Sequence, residues 1–298
     1  MIRHYRIHEV SGYINWIYFF HAWGFQPRYA EIANIHGCDA CRAMWLAHFP
    51  ENERAKAAEA MQLYKEANRL LARLDEHVQT HALFCLHESN STGNDLWLDG
   101  KRFPLLRQQT ARKEGEPYLC LSDFVRPQSS GITDKVGSFA VCTDMEMENL
   151  FPEDGYLHML AQTLADRLAE ATAEVLHLHV RRLFWGYAPN EQLSIKQLHR
   201  EEFQGIRPAV GYPSLPDLSV NFIIDKILGM NRIGITLTEN GAMRPHASVS
   251  GLMIAHPKSH YFAINKITKE QLVDYATRRG IPIIDMEKFL RKNLICNS

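Results

Sequence analysis

YLHMLAQTLADRLAEATAEVLHLHVRRLFWGY, residues 156 to 187, holds the most regular pattern in the chain. Leu157, Leu160, Leu164, Leu168, Ala171, Val175 and Leu178 recur at spacings of three and four, and Pro152 and Pro189 bracket the run. That spacing predicts one long helix at about 156–187 with a single apolar face. A second row carries Asp166, Glu170, Glu174, His177 and Arg181. Three accounts fit this row. It is a solvated face laced by ion pairs between successive turns, or a metal site, or a wall from which a carboxylate reaches a ligand ammonium group. Glu174 and His177 match the Glu-x-x-His spacing of di-iron bundles, but those need a second copy on another helix, and none is found. No metal is therefore expected from this row.

The long helix stands between two groups of strand-like runs. Upstream, HALFCL (81–86), LWLDG (96–100), PYLCLSDFV (117–125) and VGSFAVCT (136–143) read as strands, with SNSTGND as a turn. Downstream, IGITLT (233–238), SVSGLMIAH (248–256) and HYFAINKI (260–267) repeat the pattern after a helix over Val220 to Met230. Toward the N-terminus, Trp16, Phe19, Phe20 and Trp23 have helical spacing. From Glu51 to about His77, Leu63, Ala67, Leu70 and Leu74 stripe a surface helix. A last helix opens at Thr268, where Gln271 completes a capping box, and stops at Gly280. The connections are short and no βαβ rhythm appears, so the expected class is α+β. The expected fold is a single domain, residues 1–298, built on a mainly antiparallel twisted sheet with several flanking helices.

Composition narrows the functional classes. Lys+Arg 33 against Asp+Glu 34 leaves a formal charge of -1, and no basic stripe interleaved with aromatics is present, so nucleic acid is not an expected partner. The apolar stretch Tyr13 to Phe25 is too short to span a bilayer and carries Asn15 and His21, so no membrane partner and a cytoplasmic location are expected. Six cysteines, Cys38, Cys41, Cys85, Cys120, Cys142 and Cys296, are too sparse for a disulfide scaffold and fit a reducing compartment. Cys38 and Cys41 form a C-x-x-C, but no second C-x-x-C or C-x-x-H completes a zinc tetrad, which reads as two incidental thiols beside a helix start.

GIRPAVGYPSLPD, residues 205 to 217, holds two glycines and three prolines and cannot form regular helix or strand. Arg207 is a fixed cation whose planar fork grips a carboxylate at two points, and Pro208 restricts its backbone. Gly211 lets backbone approach a ligand, and Tyr212 adds an aromatic face with a hydroxyl. The loop suits a zwitterionic, partly aromatic small molecule. Taken alone, it fits better still an ordinary surface loop with a solvated arginine.

RPAVGYPSLPD (207–217), followed by LTENGAMRPHASVSGLMIAHPKSHYFAINKITKEQLVDYATRRG (237–280), resembles the C-terminal reactivation domain of cobalamin-dependent methionine synthase, which binds S-adenosylmethionine. NWIYFFHAW (15–23), LLRQQ (105–109), CLSDFV (120–125) and DRLAEATAEVLHLHVRRLFWGYAPNE (166–191) extend the likeness over most of the chain. Residues 37 to 60 and 144 to 154 are the least familiar. The resemblance implies that Arg207 grips the ligand carboxylate and that Asp123 and Glu170 are ligand contacts. It implies that Pro208, Ala209 and Gly211 form the binding loop, that Tyr261 and Phe262 line the site, and that Tyr212 faces the corrin. A sulfonium zwitterion brings one carboxylate and two cationic centres, so this set is complementary to it in charge. The chain departs from the family at Leu218, Ser219, Val220 and Asn221 and at Arg244, which is expected to alter the surface that meets the cobalamin module.

The resemblance implies a component of methionine synthase rather than a complete enzyme. The chain would bind S-adenosylmethionine as methyl donor and support reductive remethylation of cobalamin carried by a separate chain, in methionine biosynthesis. The electron would come from flavodoxin or a flavoprotein reductase. No catalytic side chain is expected, because the cobalt is the nucleophile and the protein's task is positioning. The complete enzyme's thiolate zinc site, folate barrel and cobalamin module are not found, and Asp75-x-His77 runs into Thr80 where a lower-ligand motif needs glycine. A free-standing reactivation unit is therefore expected. Two alternatives keep the same residues: an S-adenosylmethionine sensor or docking module without methyl delivery, and a reactivator of another corrinoid methyltransferase.

Overall fold

A computed structural model describes residues 1–110 and 115–295. Six strands build one antiparallel sheet: β1 (Ile2–Arg6), β2 (Gln79–Thr92), β3 (Asp95–Leu98), β4 (Lys101–Pro104) and β5 (Asp134–Thr143), with β8 (Ser248–Met253) after a small separate pair, β6 (Thr236–Leu237) and β7 (Met243–Arg244). The spatial order is β4-β3-β2-β5-β8, and β1 also pairs with β2. β2 serves three partners because it is long. Residues 79–83 pair with β1 and residues 89–92 with β3 along one edge, while residues 80–89 pair with β5 along the other.

Successive side chains leave the sheet on opposite faces, and each face has its own apolar layer. Ala82, Phe84, Phe139, Val141, Val249 and Met253 pack with helices α1 (Ile7–Ser11), α2 (Trp16–Ala22), α3 (Asp39–Ala47), α4 (Glu51–Leu74) and α5 (Gly155–His179). Beyond α5 the short α6 (Ile195–His199) leads toward the proline-rich loop. Leu83, Val136, Ala140, Cys142 and Leu252 point the other way, onto α7 (Val220–Leu228), α8 (Lys269–Arg279) and α9 (Ile283–Leu290). β5 is covered on both faces, which is why it reads as a continuous apolar run. The α4 stripe of Leu63, Ala67, Leu70 and Leu74 is buried as its spacing predicts, each leucine contributing about 1.5–3 kcal/mol by leaving water. α5 starts at Asp154, whose carboxylate accepts from the N–H groups of Tyr156 and Leu157, and its regular turns stop at His179. A π turn over Val180–Phe184 then ends the helix, short of the expected Tyr187.

The fold class is α+β, as the sequence pattern predicts, but several elements differ. PYLCLSDFV is not a strand. The Asp123 carboxylate accepts from Cys120 N–H at 2.8 Å and folds Leu121–Phe124 into a 3-10 turn. HYFAINKI is irregular and joins no sheet, because Phe262 N–H donates to Ser214 Oγ and Ile264 N–H to Pro213 O, both in the proline-rich loop. Of IGITLT only Thr236 and Leu237 pair. β2 continues through Ser89–Thr92, so the turn is confined to Gly93 and Asn94. At Thr268 only half of the capping box forms: its hydroxyl accepts from Gln271 N–H, while Gln271 Oε1 accepts from the distant Arg107 N–H at 2.8 Å. Cys296 lies outside the described residues.

Candidate functional site

The proline-rich loop lies along the free edge of β8. Ile206 and Ile254 exchange backbone hydrogen bonds at 2.9 and 3.0 Å, Val210 N–H donates to Ser250 O at 2.8 Å, and Leu252 N–H donates to Pro208 O at 3.0 Å. So close an approach requires glycine on the strand, since a Cβ at Gly251 would sit 2.2 Å from Pro208 O. From the other side Tyr261 Oη accepts from Arg207 N–H at 2.9 Å, and Ser214 Oγ donates to Phe262 O. Asp217 closes the loop. It is buried and takes Arg279 Nη1 at 2.8 Å, Tyr275 Oη at 2.8 Å and the Ser219 hydroxyl at 2.8 Å. The loop is thus held in shape before any ligand arrives.

α5 presents its charged row to this loop. Glu170 accepts a short hydrogen bond from Tyr212 Oη, and Glu174 Oε2 accepts from Arg207 Nη2 at 3.2 Å. Two carboxylates of the row therefore reach residues 205–217, as the third account of the row requires, and the solvated-face account is overturned. His177 and Arg181 are fully buried and Glu174 is 8% exposed. Arg181 grips Glu191 through two nitrogens at 2.7 and 2.9 Å and stacks 4.2 Å from the Phe203 ring centroid. Burial holds His177 neutral, its pKa well below the ordinary value, and the neighbouring charges of Arg207 and Arg181 push the same way. Burial pulls the pKa of Arg207 down, but Glu174, Tyr261 and Glu170 outweigh it and the net shift is upward, so the guanidinium stays charged. Glu201, also beside this group, has its pKa raised by burial against the pull of Arg207. Arg207 Nη1 and Glu174 Oε1 are buried without a protein partner among the described residues.

These groups surround a cavity of about 670 Å³, within the range of small-molecule sites. Of the expected residues, Glu170, Arg207, Pro208, Ala209, Tyr212, Tyr261 and Phe262 line it. Gly211 stands in the loop just outside the lining with φ +87°, a backbone that glycine tolerates. Asp123 does not line the cavity. It is held by Arg107 through two hydrogen bonds of 2.6 and 2.7 Å. Next to it, Phe124 packs against His260 and Phe262, and Phe262 also lines a second cavity of about 260 Å³ with Gln108, Leu119 and His260. Tyr13, Asn15, Tyr18, Arg167 and Glu201 line the main cavity and were not singled out by residue type. Tyr13 and Tyr18 belong to an aromatic block whose spacing reads only as a buried helix face. Leu218 is half-exposed, whereas Ser219, Val220 and Asn221 are buried. Asn221 donates to Gly241 O at 2.8 Å and accepts from Ser250 Oγ at 2.5 Å, so these three departures change the packing under the loop rather than an outer surface. Arg244 is exposed.

Two arginines, three carboxylates and several aromatic rings around one cavity suit a ligand that carries a carboxylate and cationic centres together. Among the described residues no helix is long and apolar enough to cross a membrane. The fold and the sequence are similar to known proteins. A crystal structure of the MetH reactivation domain bound to AdoHcy superposes with a TM-score of 0.86 at 36% identity, over 99% of this chain and 90% of that one. A family model described as the vitamin B12 dependent methionine synthase activation domain matches residues 6–280. The match takes in the cavity, the loop and both apolar layers, and the chain belongs to the family of vitamin B12-dependent methionine synthase activation domains.

Proposed function

We propose that the chain binds S-adenosylmethionine in the 670 Å³ cavity and presents its methyl group to reduced cobalamin carried by a partner module. The observation that carries this reading is the buried Arg207 guanidinium, with one nitrogen on Glu174 and another unpartnered in a cavity edged by Glu170 and Glu201. A carboxylate on the ligand pairs with Arg207, and the ligand's ammonium and sulfonium charges lie among the carboxylates. The AdoHcy-bound relative supports the ligand class, since AdoHcy is what remains of S-adenosylmethionine once the methyl has left.

Tyr212 sits at the mouth, with its hydroxyl held by Glu170 and its ring 48% exposed, and forms the face turned to the corrin. Asp123, fixed by Arg107, lines neither cavity, and as a ligand contact it requires a ligand that extends past Phe262. Reduced cobalamin supplies the nucleophile that takes the methyl group, and the electron that produces it comes from flavodoxin or a flavoprotein reductase. This chain's own residues bind, orient and exclude water.

The test is calorimetric titration of S-adenosylmethionine into wild type and Arg207→Ala, followed by mixing with a cobalamin-carrying methionine synthase module under reducing conditions. Saturable binding lost in the variant, with methylcobalamin formed by the wild type, supports the reading. Binding without methyl delivery would leave a sensor or docking module, and absence of binding with and without the module would end the proposal.

A further inference from the structure

HGCDAC, residues 36 to 41, lies outside the motifs quoted for the family resemblance, and none of it lines the cavity. It joins the 3-10 turn Pro27–Asn34 to α3. The imidazole of His36 and the thiols of Cys38 and Cys41 bring one ligand atom each to within 4.8 Å of one another, the one such group of three His, Cys, Asp or Glu side chains among the described residues. Cys38 is the N-cap of α3, and its sulfur accepts from Cys41 N–H at 3.3 Å, so the chain itself turns both thiols to the same side. Counting C-x-x-C pairs missed this group because its third donor lies two residues upstream, in an H-x-C.

We propose that His36, Cys38 and Cys41 form a binding site for a thiophilic divalent cation, zinc in the first instance, at the surface of the helical layer. Tetrahedral zinc bonds of about 2.0–2.3 Å place neighbouring ligand atoms about 3.3–3.8 Å apart, so side-chain rotations of about 1 Å close the set. Two sulfur arms from one short segment plus an imidazole nitrogen match zinc's preference for soft and borderline ligands. On binding, each thiol gives up its proton to solvent and the imidazole donates a lone pair. Two thiolates then balance the 2+ charge, and the fourth position stays open to water or a further ligand. A dithiol redox couple would need Cys38 and Cys41 alone, and His36 would then serve only to lower the pKa of the Cys38 thiol.

Cobalt(II) alone, titrated into the full, reduced and metal-stripped chain, is the probe. The expected result is saturation at about one equivalent with thiolate-to-cobalt charge-transfer absorption, and displacement of the cobalt by zinc. Cys38→Ser and Cys41→Ser each roughly halve the charge-transfer intensity, and His36→Gln weakens cobalt binding by about tenfold or more. All three positions are at the surface, and circular dichroism checks that the variants fold. Absent charge transfer overturns the site, and so does a band that survives Cys38→Ser unchanged. Unaltered affinity in His36→Gln overturns the three-ligand assignment. Formation of a Cys38–Cys41 disulfide with no metal uptake would replace the site by a redox pair. None of these readouts depends on S-adenosylmethionine, so they are independent of the proposed function.

Discussion

Arg207 Nη2 donates to Glu174 Oε2 at 3.2 Å, with the two side chains only 13% and 11% exposed. The pair joins the long helix to the proline-rich loop inside the cavity wall. In the free protein Glu174 therefore occupies one side of the guanidinium that the proposed ligand carboxylate needs. Replacing Glu174 by Gln leaves a buried cation short of its counter-charge, and the free chain should lose about 3–5 kcal/mol of unfolding free energy. Urea denaturation without ligand measures this, and unchanged stability would show that the pair contributes nothing.

Arg207→Ala should weaken S-adenosylmethionine binding by roughly 30- to 150-fold, about 2–3 kcal/mol for a lost charge-assisted contact. Calorimetry on the variant is direct. A loss of less than threefold would assign the carboxylate to another partner.

Glu170→Gln and Asp123→Asn test the two acidic contacts separately. Glu170 stands in the cavity wall beside Tyr212, and its neutralisation should cost about tenfold in affinity. Asp123 lies beyond Phe262 on Arg107, so a similar loss in Asp123→Asn is expected only if the ligand reaches the second cavity. The prediction is that it does, and wild-type affinity in Asp123→Asn would confine the ligand to the larger space.

His177 gives the chain an acid-sensitive core. Its folded pKa lies well below the ordinary 6.5, so below that pH the unfolded chain binds a proton that the folded chain refuses. Stability is full above about pH 6.5 and falls as the pH drops, by at most about 1.4 kcal/mol per unit. His179, also lowered chiefly by burial, adds in the same direction. Urea midpoints at several pH values should show this slope, and His177→Gln should flatten it.

Gly251→Ala tests the seating of the loop. A Cβ there meets Pro208 O at 2.2 Å and Ala209 Cα at 2.9 Å, both backbone atoms, so the loop must move. The variant should lose about 1–3 kcal/mol in stability and most of its ligand affinity together. Retention of both would mean that the strand can yield without the loop.

Periodicity revealed α4 and α5 because their leucines repeat over many turns, and β5 because both of its faces are covered. It failed where backbone groups find partners other than a neighbouring strand. Asp123 turns CLSDFV into a 3-10 turn through its own side chain, and Phe262 and Ile264 spend their N–H groups on the proline-rich loop. No window of sequence shows the partners of Phe262 and Ile264, which lie about fifty residues upstream. α9 was missed although Pro282 before it, Asp285 in its first turn and Lys288 in its last are helix signals, because Ile283–Leu290 is only 8 residues long and shows barely two turns of apolar spacing. Within the cavity, Arg207 and Tyr212 stood out by residue type and Glu170 and Glu174 by their row, whereas Glu201 and Tyr13 come from segments with no polar pattern of their own. His36 belongs to the same class of miss, since its relation to Cys38 appears only once the turn into α3 is drawn.

β8 ends the sheet, and the loop at 206–210 takes up the hydrogen bonds on its outer edge. The segment proposed to grip the ligand is thus also a cover over a strand edge that is otherwise open to other chains. Conditions that lift the loop would expose Val249, Ser250, Gly251 and Leu252 as a template for intermolecular pairing, so self-association should accompany its release. The same thirteen residues thus edge the cavity and close the sheet.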